Sequence, residues 1–149
     1  MRIAVAGDHN GYTLRGEMVS HLIAAGHEVL DLGAQRLDPD DDYPDIAKAV
    51  ADAVASGRVE KGVLVCGSGV GACIAANKVK GARASVCHDT YSAHQGVEHD
   101  DMNILCLGAR IIGTEIAREV TDVFVSARYS GETRHQRRLE KVLAIEEGS

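Results

Sequence analysis

Five short apolar runs, most of them separated by segments of helical periodicity, leave this chain few folds to choose from. The runs are Ile3–Ala6, Glu28–Leu32, Gly62–Cys66, Ala84–Cys87 and Asn103–Leu107. Each is too short for a helix and rich enough in aliphatic or β-branched residues for a strand. Leu14, Met18, His21, Leu22 and Ala25 share one helical face; Ile46, Ala49, Val50, Ala53 and Val54 share a second; Ile116, Val120, Val123 and Phe124 share a third. A last helix is expected from about Thr133 to Glu146, with Leu139, Val142, Leu143 and Ile145 as its apolar residues. Strands that alternate with helices imply right-handed βαβ crossovers and a parallel sheet covered on both faces. A length of 149 residues fits one domain, residues 1–149, with no linker or repeat to divide it.

Composition narrows the partners. Only 3% of residues are aromatic and none is Trp, which suits strands buried on both faces and gives little surface for stacking bases. The net charge of -6 argues against a nucleic-acid partner, and the one basic cluster, Arg134 to Arg138, suits a small anion. The four cysteines form no C-x-x-C pair, and three lie in or at the end of strand-like runs, as expected in a reducing compartment. The first residues already read as a strand, and no stretch is long enough to span a membrane. The expectation is a cytoplasmic protein with no membrane partner.

In open parallel sheets, ligands bind beyond the carboxyl ends of the strands. Gly7-Asp8-His9-Asn10-Gly11 follows the first strand, Cys66-Gly67-Ser68-Gly69-Val70-Gly71 the third, His88-Asp89 the fourth and Gly108-Ala109-Arg110 the fifth. The alternate glycines Gly67, Gly69 and Gly71 let backbone approach a ligand closely, and their N–H groups can face an oxyanion beside Cys66. The alternative is an inert core thiol above a tight turn; Cys73, Cys87 and Cys106 are read that way outright. Gly67-x-Gly69-x-x-Ala72 with Asp89 about 20 residues on also fits a dinucleotide fingerprint, so a nucleotide-binding module stays open. Asp8-His9 reads equally as an anion site or a helix cap. Arg134 and Arg138 are four apart on one helical face and can grip a phosphate, or pair with Glu132 or Glu140. His99 alone reads as a solvated junction. The acidic run Asp38 to Asp42 reads mostly as a solvated connection, and Pro44 as the start of a helix. No metal-ligand spacing stands out.

Taken in order, Gly7-Asp8-His9-x-Gly11, Asp42-Tyr43-Pro44, Cys66 to Gly71, Ile74-Ala75-Ala76-Asn77-Lys78, Asn103-Ile104-Leu105, Gly108-x-Arg110 and Arg134-His135-Gln136-x-Arg138 resemble the ribose-5-phosphate isomerase B / galactose-6-phosphate isomerase family over nearly the whole chain. With Cys66 before the glycine loop and Ala72 after it, the likeness is to the branch that uses a cysteine base. The resemblance implies a Rossmann-like three-layer sandwich with a five-stranded parallel sheet, no cofactor, no metal, and a homodimer or tetramer with shared active sites. It implies a phosphorylated sugar of four to six carbons as substrate, ribose 5-phosphate first among them. In its terms Cys66 is the base, the N–H groups around Gly67, Gly69 and Gly71 hold the enediolate, and Ser68 relays protons between oxygens. His99 of a partner opens the sugar ring, Asp8 and Tyr43 contact the sugar, and His9, Arg134 and Arg138 hold the phosphate, with Arg110 contributed across the dimer. Asp100 stands where relatives usually have asparagine, and Gly131-Glu132-Thr133 is slightly longer than usual; a non-catalytic sugar-phosphate sensor is therefore a third reading.

Overall fold

The computed structural model describes residues 1–148. Five strands, β1 (Arg2–Gly7), β2 (Glu28–Asp31), β3 (Lys61–Cys66), β4 (Ala84–Val86) and β5 (Ile104–Gly108), form one parallel sheet in the order β2-β1-β3-β5-β4. Six helices accompany them: α1 (Tyr12–Ala24), α2 (Tyr43–Ala55), α3 (Val70–Ala76), α4 (Thr90–Asp100), α5 (Thr114–Ser126) and α6 (Thr133–Glu146). The expected α/β sandwich is what the chain builds.

Side chains alternate across the central strands, and each face makes its own core. Ile3, Val5, Val63, Val65, Leu105 and Leu107 point toward α1, α4 and α5, where Met18, Leu22, Val97, Val120 and Phe124 meet them. Ala4, Ala6, Leu64, Cys66, Ile104 and Cys106 point the other way, toward Val50 and Val54 of α2 and Ala72 and Ala76 of α3. The second core is the thinner one, because alanines let α2 lie close to the sheet. A Cβ on Gly62 would sit 2.5 Å from Val50 Cγ1. Full burial of residues the size of Phe124 or Leu64 contributes about 1.5–3 kcal/mol each.

Three helical faces differ from the sequence expectation. On α2, Ala47 and Ala51 join Val50, Ala53 and Val54 in the core with Ile46 packed half-buried beside them, and of the expected face only Ala49 is exposed. On α5, Ala117 and Thr121 face the core while Ile116 stays 45% exposed. Small residues fill these positions because the helices lie too close to the strands for larger ones. On α6 only His135 is buried; Val142 and Ile145 are 52% and 71% exposed. The last helix thus keeps an apolar stripe that the described residues do not cover.

The connections set the site. From β1 the chain steps outward to β2, and the other strands lie on the opposite side, so the order reverses between β1 and β3. A crevice opens at such a switch point beyond the carboxyl ends. At the other end of the sheet, Lys61 Nζ donates to the carbonyls of Phe124 (2.6 Å) and Ala127 (2.9 Å), closing the end of α5 with a positive charge. Burial lowers this ammonium to about 8. Among the described residues, no helix is long and apolar enough to cross a membrane.

Candidate active site

The rim is built by close backbone approaches that glycine alone allows. A Cβ on Gly11 would lie 2.2 Å from the Val65 carbonyl oxygen, so the turn after β1 presses directly on the end of β3. A Cβ on Gly108 would lie 2.8 Å from Ser68 Cα, so the loop after β3 rests on the end of β5. Ala109 N–H donates to the Cys66 carbonyl (2.8 Å) and Arg110 N–H to the Gly67 carbonyl (3.0 Å), pinning the loop from beneath.

Cys66 closes β3 and is 5% exposed. Gly69, at φ 83°, takes the left-handed conformation that favours glycine. That turn aims its N–H at Cys66 Sγ, 3.2 Å away. Ser68 is exposed; its Oγ accepts from Val70 N–H at 3.3 Å, which leaves its own O–H free to donate. α3 spans only seven residues, so the loop's individual N–H groups, more than a helix dipole, supply the anion-facing donors. A Cβ on Gly71 would meet the Tyr43 ring at 2.7 Å, which places that ring against the glycine loop.

Asp8 is nearly buried, and its Oδ1 accepts from Asn10 N–H (3.0 Å) and Gly11 N–H (3.1 Å). It therefore shapes the turn, and α1 begins without a side-chain cap. His9 donates both its backbone N–H (3.0 Å) and its ring Nδ1–H (2.7 Å) to Asp41 Oδ1. The hydrogen bond to Asp41 raises the His9 pKa above its usual 6.5; Asp8 adds to this, while burial and Arg110 oppose it. Arg110 Nη2 donates to Asn10 Oδ1 of its own chain at 2.9 Å. This contact is exposed, so the guanidinium is easily exchanged onto an anion held by another copy.

Asp8, His9 and Asp41 offer ligand atoms within 4.8 Å of one another, the one such group of three among the described residues. Their oxygens already accept the N–H groups named above, which accounts for the closeness without a cation. The rim also holds two residues to which the sequence pattern gave no role. One is Asp41. The other is His88, whose Nε2 accepts from Gly108 N–H at 2.8 Å. That bond needs an unprotonated Nε2, and burial lowers the His88 pKa. Among the other thiols, Cys73 is drawn down to about 7, chiefly by a hydrogen bond with Cys106, and burial pushes Cys87 up. Cys73 Sγ faces the Ala84 carbonyl at 3.5 Å and not the glycine loop, so geometry singles out Cys66.

His99, Asp100, Arg134 and Arg138 lie elsewhere. His99 and Asp100 form the last turn of α4, where the sequence suggested a junction after a helix. α4 runs back past the strands, and just beyond it the Asn103 carbonyl accepts from Gly62 N–H near the start of β3 (2.9 Å). Gly62 and Cys66 are four strand residues apart, about 13 Å. At this far corner the His99 ring stacks on His135, centroids 3.9 Å apart. Gln95 Nε2 donates to His99 Nδ1 at 2.9 Å, which leaves Nε2 as the proton-bearing nitrogen of a neutral ring. His135 donates from Nδ1 to Ser130 Oγ (2.7 Å) and accepts at Nε2 from Arg134 Nε (3.2 Å). Burial, then the neighbouring His99 and Arg134, lower its pKa. Arg134 also pairs with Glu132 at 3.2 Å; both side chains are more than half exposed, so the pair is easily exchanged for another anion. Asp100 lines a groove of about 660 Å³ between α6 and β4, with Arg83, Met102 and Val142, and not the glycine loop.

The dinucleotide reading does not survive the sheet order. β5 separates β3 from β4, which holds Asp89 away from the Gly67 loop. The Asp89 carboxylate instead accepts from Ser92 N–H at 2.6 Å, capping α4.

The model of the family described as Ribose/Galactose Isomerase matches residues 3–142. The chain belongs to that family. It is 46% identical to ribose-5-phosphate isomerase B of Escherichia coli (strain K12), over 98% of this chain and 97% of that one. The structure of ribose-5-phosphate isomerase B from Mycoplasma genitalium with bound ribulose-5-phosphate superposes with a TM-score of 0.94 at 40% identity, covering 99% of this chain and 97% of that one. D-erythrulose-4-phosphate isomerase of Pectobacterium atrosepticum is 37% identical over 88% of this chain and 86% of its own length.

Proposed function

We propose that this protein interconverts ribose 5-phosphate and ribulose 5-phosphate, with Cys66 as the base. The observation that carries the reading is Cys66 Sγ facing Gly69 N–H at the carboxyl end of β3, beside the point where the strand order reverses. As thiolate, Cys66 takes the proton from C2 of the open-chain aldose. The C2–H electrons become the C1=C2 bond, and the carbonyl electrons move onto O1. The N–H groups of the Gly67–Gly71 loop face that oxyanion. The thiol then returns its proton to C1, while the O2 proton passes to O1 through Ser68. Asp8 and Tyr43 orient the sugar hydroxyls, and no cofactor or metal takes part.

The reading includes a homodimer, in which the corner of one copy completes the rim of the other. His99 of the second copy, protonated by solvent, gives a proton from Nε2 to the ring oxygen O4 as the C1–O4 bond breaks, and the O1 hydroxyl proton passes to water as the C1=O1 carbonyl forms. Arg134 and Arg138 grip the phosphate together with His9 and Arg110. Two observations support this. The rim and the corner sit at opposite ends of one sheet, so one chain does not bring them to a single sugar. Val70, Ile74, Tyr91, Val142 and Ile145 are large, apolar and exposed, as a surface awaiting a second copy would be. Two such dimers can pair into a tetramer. Four free cysteines fit a cytoplasmic setting. Asp100, next to His99 at the end of α4, goes with that residue toward the rim of the other copy, where it contacts the sugar.

Turnover of ribose 5-phosphate, followed as ribulose 5-phosphate, tests the assignment. A second reading, a four-carbon sugar phosphate as the preferred substrate, is favoured by the likeness to the erythrulose-4-phosphate enzyme. Comparing kcat/KM over four-, five- and six-carbon aldose phosphates decides between them. Binding without turnover across that panel would instead mark a sensor.

A further inference from the structure

The acidic run before α2 is more than a solvated connection. One carboxylate oxygen, Asp41 Oδ1, accepts both the backbone N–H (3.0 Å) and the ring Nδ1–H (2.7 Å) of His9, across 32 residues of sequence. The run is held in place from both sides. Asp38 Oδ1 accepts from Asp40 N–H (3.0 Å) behind it, and the Tyr43 ring lies against Gly71 ahead of it. The Asp41 side chain is only 17% exposed, so water competes weakly for it.

This geometry fixes what His9 can offer an anion. A carboxylate only accepts, so Nδ1 must carry a proton. The other nitrogen, Nε2, then bears a lone pair in the neutral ring and an N–H only in the cation. A neutral His9 would present a lone pair to a phosphate oxygen, which repels it. The cation presents a charge-assisted donor. The charged groups around the ring are Asp8 and Asp41, which favour the cation, and Arg110, which opposes it.

We propose that Asp41 is a positioning residue for phosphate recognition, locking the His9 ring and holding it as the cation whose Nε2–H meets the substrate's anionic end. The inference rests on the proposed role of His9 as a phosphate ligand. It makes the acidic loop part of substrate recognition, although the loop itself carries the same sign of charge as the substrate.

The test compares the full-length protein with Asp41→Asn, whose amide oxygen can still accept but carries no charge, and with Asp41→Glu as a charge-conserving control. KM and kcat for ribose 5-phosphate are measured against pH, and the His9 ring is titrated by NMR with and without inorganic phosphate. Asp41→Asn is expected to raise KM about tenfold near neutral pH, with kcat moved far less, as one weakened charge-assisted contact implies. The pH at which KM begins to climb is expected to move down with the His9 titration, and Asp41→Glu to restore part of both. If phosphate shifts the His9 signals but Asp41→Asn leaves the His9 titration and the KM profile unchanged, the role of Asp41 is overturned. If phosphate leaves the His9 signals of the unsubstituted protein unmoved, it is the phosphate role of His9 that falls, and the proposal with it.

Discussion

At the rim, the polar groups nearest the strand ends are tied to backbone. Asp8 holds two N–H groups of its own turn, His88 accepts from Gly108 N–H, and Gly69 N–H points at Cys66 sulfur. At the corner where α4 meets α6, the chief contacts run between side chains: His99 on His135, Gln95 to His99, Arg134 to His135 and to the exposed Glu132. A ring of fixed backbone donors suits an oxyanion that must meet its partners without reorganisation. A cluster of imidazole and guanidinium on exposed helix ends suits a group that arrives from outside, such as the phosphate and ring oxygen held by another copy. In the proposed reading, the rim has the base without the ring-opening acid, and the corner has the acid without the base.

The sharpest way to break this division of labour is to remove the base. Cys66→Ala should lower kcat/KM for ribose 5-phosphate by about 10³-fold or more, the range of a lost general base, with the far-ultraviolet circular dichroism unchanged. Turnover near the original level would move the chemistry elsewhere. Next, replacing Arg134 and Arg138 together with alanine should raise KM by about 10²-fold and lower kcat far less, because these residues hold the phosphate and not the reacting carbons. A loss confined to kcat would take the phosphate grip away from the corner.

A smaller and more selective effect is expected at His99. Ribose 5-phosphate closes into a ring, whereas ribulose 5-phosphate, with its O5 esterified, cannot form a furanose. His99→Asn should slow turnover of the aldose by about tenfold or more and that of the ketose by less. Equal losses in both directions would assign His99 to the proton transfer itself. The smallest effect is on stability. The His88 pKa is lowered on folding, so the unfolded chain binds more protons below the usual 6.5. The stability that His88 contributes is full above that pH and is lost as pH falls from 6.5 toward the lower folded value. The unfolding midpoint should fall over that window, and His88→Gln should flatten the change; an unaltered profile would detach His88 from the rim.

Much of the fold was legible because the apolar runs are short, aliphatic and evenly interrupted, and a parallel strand buried on both faces admits little else. The site at the strand ends followed from that reading, since Gly67, Gly69 and Gly71 stand after a strand and beside Cys66. Most of what stayed hidden depends on pairing between distant segments. Periodicity does not encode that β5 inserts between β3 and β4, which is what removes Asp89 from the glycine loop. The spacing of 32 residues between His9 and Asp41 carries no signal, and neither does the stack of His99 on His135. On α5, Ala117 and Thr121 pack where Ile116 is expected, and on α2, Ala47 and Ala51 pack where Ala49 is expected, because close approach favours small residues and the periodicity of alanine carries little signal. On α6 the apolar pattern is real but finds no cover among the described residues.

The shared site is tested most directly by mixing two disabled proteins. Cys66→Ala chains and His99→Asn chains, unfolded and refolded together at equal amounts, should form mixed dimers in which one site carries both defects and the other carries none. With random pairing about one quarter of all sites are intact, so about one quarter of the unsubstituted turnover should return. A refolded mixture that native mass spectrometry shows to contain mixed dimers, yet that is no more active than the average of its two parents, would contradict the account.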